Sequence, residues 1–192
     1  MRLMGIECLG DGVSIAVSPK PGKVVLRKVK ARRQDEKLVS TMNAALKAAK
    51  LTLQKIDAIV VATGPGRFTS TRVAVTFANT LAWSIAKPVI AVTLFEAFAA
   101  RLTQEKIPDG KYTLAFPAAR EELYTQSFRW KGGVCKDLGP PVWVESASGV
   151  RTPEKPITAA DLLGVAACKL AGGTVAEAVE PLYLKPANYL KK

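Results

Sequence analysis

The chain has 192 residues, of which 48% are hydrophobic and 23% charged, enough to bury a real core as one domain or two small ones. It contains no histidine, which removes Ser-His-Asp and Cys-His nucleophiles, HExxH zinc chemistry and histidine general bases. A net charge of +12, from 28 basic and 16 acidic residues, raises attraction to a polyanion such as RNA.

In chain order, Leu3 to Cys8 predicts a short strand, and Leu9-Gly10-Asp11-Gly12 is turn chemistry. Val13 to Ser18 and Lys23 to Lys30 predict two more strands across a turn at Pro19 to Gly22, so the first three form an antiparallel meander. A helix from about Glu36 to Lys50 follows from Leu38, Met42, Ala45, Leu46 and Ala49 at helical spacing. Asp57 to Ala62 is apolar on both faces and predicts a central strand. A second helix, from about Thr71 to Ala86, is apolar nearly all round and stops at Lys87-Pro88. Val89 to Val92 is a fifth strand, and Leu94 to Leu102 a third helix with a weaker amphipathic pattern.

The order βββαβαβ is the ribonuclease-H-like layout found in the halves of actin-like proteins. After Pro108-Asp109-Gly110 the texture changes: strands at Lys111 to Phe116, Leu123 to Trp130 and Val142 to Val144, then a helix from Ala159 to Leu170. The expected architecture is therefore α/β and two-lobed, with a mixed-sheet lobe over residues 1–107 and a smaller, reduced lobe over 108–192.

The longest apolar run, Val73 to Ala86, is shorter than the ~20 residues a bilayer needs. The N-terminus lacks the apolar block of a signal peptide. Cys8, Cys135 and Cys168 are far apart and form no CxxC, which argues against a disulfide frame or a zinc site. A cytoplasmic protein with no membrane association is expected.

Gly64-Pro65-Gly66 lies between the central strand and the second helix, where backbone amides could meet an anion. No Lys follows, so this is not a Walker loop. One reading is a plain chain reversal, with Phe68 buried as an anchor and Thr69 or Ser70 capping the helix. The other is anion binding helped by Arg67 and Arg72. Between Lys20 and Lys37, eight basic residues accompany only Asp35 and Glu36, which suits either a solvated edge strand or a polyanion contact. Glu121, Glu122 and Tyr124 do not form an acid/base pair, because adjacent strand residues face opposite sides. The second helix carries more apolar surface than one sheet covers. Either the first helix covers the rest, or a partner protein does, with Trp83 as its anchor.

The stretch "IDAIVVATGPGRFTSTRVAVTFANTLAWSIAKPVIAV" resembles the TsaB (YeaZ) family, whose motif reads GPGSFTGLRIG. Gly64, Pro65, Gly66, Phe68, Thr69 and Arg72 match that motif. "AAREELYTQSF" is similar to the family's DARRxEVY segment, and "EPLYLKP" to its C-terminal PLYLR. Departures fall at Glu7, Cys8 and Leu9, where the family has Asp-Thr-Ser, and at Arg67, Ser70, Thr71, Pro117 and Ala119. They weaken any nucleotide contact and leave the architecture untouched.

The resemblance implies a non-catalytic scaffold that pairs with TsaD and, through the complex, with the ATPase TsaE and with tRNA. Together these place threonylcarbamoyl on the adenosine beside the anticodon. It implies ATP and metal on the partner subunits and no cofactor on this chain, and a possible homodimer through first-lobe helices. The expected interface comprises Leu38, Met42, Leu46, Val75, Asn79 and Trp83, supported by the glycine turn. Two alternatives remain open: a small actin-fold enzyme, kinase or glycoprotease-like, and an RNA-binding module built on Lys20 to Lys37.

Overall fold

A computed structural model describes residues 1–185. Five strands, β1 (Leu3–Glu7), β2 (Gly12–Lys20), β3 (Lys23–Lys30), β4 (Ala58–Ala62) and β5 (Val89–Val92), form one sheet in the order β3-β2-β1-β4-β5. β1 to β3 make the expected antiparallel meander, while β1, β4 and β5 run parallel. The parallel strands are joined through α1 (Asp35–Ala49) and α2 (Phe68–Ser84). This is the actin-like α/β fold.

Strand alternation assigns the two faces. Met4, Ile6, Ile15, Ile59 and Val61 pack with Leu38, Met42 and Leu46 of α1 and with Ala74, Val75, Ala78 and Ala82 of α2. The opposite set, Leu3, Ala16, Ala58, Val60 and Ala62, packs with α3 (Leu94–Gln104) and α4 (Ala159–Ala171). β4 is apolar on both faces because helices cover both. The α2 sequence alternates β-branched residues, Thr69, Thr71, Val73 and Val75, which are indifferent helix formers. Its helical state rests on the buried stripe from Ser70 to Ala82 rather than on propensity.

The second sheet, β10-β6-β7-β8, consists of β6 (Gly110–Pro117), β7 (Leu123–Lys131), β8 (Val134–Asp137) and β10 (Val150–Arg151), with β9 (Val142–Val144) also on β7. It packs on α3 through Phe116, which sits edge-on to Phe95 at 5.2 Å. Trp130 is wholly buried, and its Nε1 donates to Thr103 Oγ1 at 2.9 Å.

The boundary expected at residue 107 does not separate two cores. α4 lies beyond it yet packs on the first sheet and on α3, and one apolar cluster runs from Val60 through Phe95 to Trp130. Gly5 permits this contact: a Cβ there would stand 2.6 Å from the Ala159 carbonyl oxygen at the start of α4. Arg101 of α3 then clamps the same helix end through Asp161, at 2.8 Å.

Candidate functional site

The carboxyl ends of β1 and β4 carry the two loops that matter. Glu7 ends β1, and its side chain folds back into the turn that follows. Its Oε1 accepts the Leu9 and Gly10 N–H groups at 2.7 and 3.1 Å, and its Oε2 accepts the Ser14 hydroxyl at 2.9 Å. Ser14 Oγ in turn accepts the Ala159 N–H at 2.9 Å, which ties the turn to the first residue of α4. Burial pushes the Glu7 carboxyl above its ordinary range, and the three hydrogen bonds pull against that.

Leu9, next in line, is buried against Gly66. A Cβ at Gly66 would lie 2.9 Å from Leu9 Cδ2, so the two loops close on each other there. Cys8 faces the other way, donating to the Ser70 carbonyl at 3.5 Å, and burial pushes its thiol up to about 12.

The glycine turn is roofed by the segment that carries Leu182 and Tyr183. Thr63 accepts the Leu182 N–H at 2.8 Å, and Gly64 accepts the Leu94 N–H at 2.7 Å. Gly64 sits at φ +141°, and a Cβ there would meet Leu182 Cβ at 3.0 Å and its carbonyl oxygen at 3.1 Å. Arg72 stacks its guanidinium over Phe68 at 3.9 Å and donates from Nε to the Tyr183 hydroxyl at 2.7 Å. Upstream, the Asn79 amide makes two hydrogen bonds to the Val179 backbone, at 3.0 and 3.1 Å. Downstream, Lys185 pairs with Glu122 at 2.7 Å and lies over the Trp143 ring at 5.0 Å. The segment from Ala176 to Lys185 is therefore a strap that leaves β5 at Val89, is held by Asn79 of α2 and lies over the glycine turn. It joins two distant stretches, the glycine turn and the β6–β7 loop. Pro186 onward, part of the C-terminal resemblance, lies outside the described residues.

Several expectations are corrected here. Phe68 is not a buried anchor but is 56% exposed, its ring 5.4 Å from Tyr183. Neither Thr69 nor Ser70 caps α2: the helix begins at Phe68, Arg67 holds the cap position, and no side chain caps it. Arg72, one of the two arginines of the anion-binding reading, is engaged by the Phe68 and Tyr183 rings. Leu38, Met42, Leu46 and Val75 belong to the core, since α1 and α2 lie on one face of the sheet and turn these residues inward. Asn79 holds the strap.

Trp83 alone of that set is open, at 83% exposure, on an outer α2 face shared with Thr69, Thr76 and Thr80. Val73, Phe77 and Leu81 are half-buried along its flank. The roles of Glu7 and of the strap were missed in the sequence. Their only trace was the departure at Glu7 and the Tyr183 of the chain end.

Beside the β1–β2 turn, an open cleft of about 590 Å³ is lined by Asp11, Lys30, Arg32, Gln34 and Arg67. Three cations against one carboxylate make it electropositive. Among the described residues, no group of three or more His, Cys, Asp or Glu is placed to hold a metal ion. No helix among them is long and apolar enough to cross a membrane.

The family profile described as "TsaD: tRNA N6-adenosine threonylcarbamoyltransferase" matches residues 14–162. TsaB of Bacillus subtilis (strain 168), the "tRNA threonylcarbamoyladenosine biosynthesis protein", is 35% identical over 99 residues, 52% of this chain and 42% of that protein. The chain belongs to the TsaD/TsaB family, on its TsaB (YeaZ) side. That is a family of tRNA threonylcarbamoyladenosine biosynthesis. A tRNA N6-adenosine threonylcarbamoyltransferase of Persephonella marina is 29% identical over 160 residues, 71% of this chain and 46% of the relative. The chain thus spans less than half the length of these curated relatives. YeaZ from Pseudomonas aeruginosa superposes with a TM-score of 0.78 at 22% identity, over 95% of this chain and 99% of that one, and so shares the fold.

Proposed function

We propose that this chain is a non-catalytic scaffold subunit of a cytoplasmic tRNA threonylcarbamoyladenosine-forming complex, binding TsaD and holding it in an active arrangement. The observation that carries the reading is the outer face of α2, where Trp83 stands 83% exposed and half-buried Val73 and Phe77 lie along the flank. An exposed tryptophan on a helix that also carries partly covered apolar side chains is the composition of an interface anchor. The same face would serve a homodimer in the absence of TsaD. ATP and metal belong, on this reading, to TsaD and TsaE, and tRNA is reached through the complex. Co-purification with the cognate TsaD, with the mass of the product measured, tests it. A stoichiometric complex is expected, and separate elution of the two proteins at roughly micromolar concentration contradicts it.

A small actin-fold kinase or glycoprotease-like hydrolase would need the loops at Leu9 and Gly66 to part around a phosphate. Calorimetry with ATP and magnesium separates the two readings: no saturable heat is expected. The cationic cleft of Lys30, Arg32 and Arg67 favours a second contact, with the phosphate backbone of the RNA. No aromatic lines it, so this contact would position RNA without reading bases. Replacing each cation by Gln is expected to lower the salt slope of RNA binding by about one.

A further inference from the structure

We infer that the outer face of the second sheet is a docking surface for the phosphate backbone of a folded RNA. Alternation sorts the side chains of β6 and β7 between two faces. Tyr112, Leu114, Phe116, Phe128 and Trp130 turn inward and join the apolar core that includes α3. Lys111, Thr113, Ser127, Arg129 and Lys131 therefore turn outward. The register sets Lys111 of β6 opposite Arg129 of β7, and Arg129 opposite Lys136 of β8. These cations stand in one row across three adjacent strands, spanning roughly 10 Å. Each of them is exposed, as is Lys131 on the same face. None forms an ion pair with a carboxylate among the described residues. The Asp109 carboxylate, just before β6, accepts the Gly132 N–H instead.

Like charges directly opposite one another destabilise a sheet. Lysine on an edge strand guards against strand pairing, which accounts for Lys136 of β8. It does not account for Arg129, because β7 is flanked by β6 and β8. A polyanion laid across the row turns that repulsion into attraction. The next row of the same face suits phosphate. Thr113 Oγ1 and Ser127 Oγ lie 3.0 Å apart and share one hydrogen bond, which leaves one hydroxyl proton free to donate. Hydroxyls beside Lys and Arg are common partners of phosphate oxygens. The rings of Tyr112, Phe128 and Trp130 belong to the inner face, so the contact follows charge and backbone shape and not base identity.

The inference rests on the reading that the chain serves RNA modification, but its test needs no TsaD, and the scaffold reading stands or falls separately on co-purification. Anisotropy of a labelled tRNA transcript is measured against salt for the full chain and for two triple variants. One carries Lys111→Gln, Arg129→Gln and Lys136→Gln. The other, equal in net charge, carries Lys47→Gln, Lys50→Gln and Lys55→Gln at exposed positions on and after α1. The row variant is expected to bind roughly tenfold more weakly at low salt, or weaker still, and to lose about three from the salt slope. The control variant should lose less than about one. The row variant should also melt no lower than the wild type, since a repulsion has been relieved. Absence of saturable binding by the wild type, equal loss in the two variants, or a lower melt of the row variant overturns the inference. So does a labelled polyglutamate bound more tightly than the transcript, which assigns the face to an acidic polypeptide.

Discussion

Arg72 and Tyr183 are 111 residues apart in sequence and meet at 2.7 Å, the arginine Nε donating to the phenol oxygen. The arginine is also stacked on Phe68, so one side chain joins the first turn of α2 to the strap. The glycine motif thereby has a packing role within the chain. It makes a close, side-chain-free surface on which the strap lies, with Leu182 over Gly64.

Gly64→Ala is expected to cost roughly 1–3 kcal/mol, since it places a Cβ at positive φ and into Leu182. Tyr183→Ala removes a ring contact and a hydrogen bond at a half-exposed site, and about 1 kcal/mol is expected. Urea melts give the energies. Limited proteolysis gives the location: both variants should be cut between α4 and Lys185 sooner than the wild type.

The α2 face and the core beneath it should respond in opposite ways. Leu46→Ala empties part of the core and is expected to destabilise the chain by about 2–5 kcal/mol. Trp83→Glu lies at an exposed position and should change stability by less than ~0.5 kcal/mol. Its effect is expected on association, where loss of an anchoring tryptophan costs about 2 kcal/mol or more. Denaturant melts and TsaD titrations on the same two variants check this separation.

Most strands and helices were legible because local chemistry decides them. β3 and β5 run from Lys23 to Lys30 and from Val89 to Val92 as their alternation and flanking turns predict. α2 begins three residues earlier than its apolar pattern suggests, because exposed Phe68 is held by Tyr183 and Arg72 rather than by buried periodicity. β8 was missed: Val134 to Asp137 alternates weakly and is mostly exposed, so only its pairing to β7 reveals it.

The docking of α4 on the first sheet was not legible either, for periodicity says that a helix has an apolar stripe and not which sheet receives it. Four of the six expected interface residues, Leu38, Met42, Leu46 and Val75, turn inward for the same reason. Leu38, Met42 and Leu46 mark a buried stripe, and the sequence cannot tell a stripe buried by its own sheet from one buried by a partner.

Two carboxylates should give opposite pH dependences. Glu7 is raised above its ordinary 4.5 by burial, so the folded state holds its proton to higher pH than the unfolded chain does. Its contribution to stability therefore falls as pH rises from the ordinary value to the raised one. Asp57 is lowered from 3.8 by hydrogen bonds from the Arg2 side chain and backbone. Its contribution is present above 3.8 and is lost as pH falls through the lower folded value. Carbon-13 titration of the two side-chain carboxyls reports both directions in one experiment.

The three thiols are all free, and their surroundings rank them. Cys168 is exposed, whereas burial pushes Cys135 up to about 11 and Cys8 up to about 12. Alkylation of the native chain at neutral pH should modify Cys168 first, and Cys8 only on unfolding, as read by peptide mass mapping.

The scaffold reading is tested most directly by titrating the cognate TsaD with wild-type chain and with Trp83→Glu in a calorimeter. A saturable one-to-one association at roughly micromolar affinity or tighter, weakened about thirtyfold by the substitution, is the predicted result. No heat of association for the wild type, or equal affinity for the two chains, would contradict it.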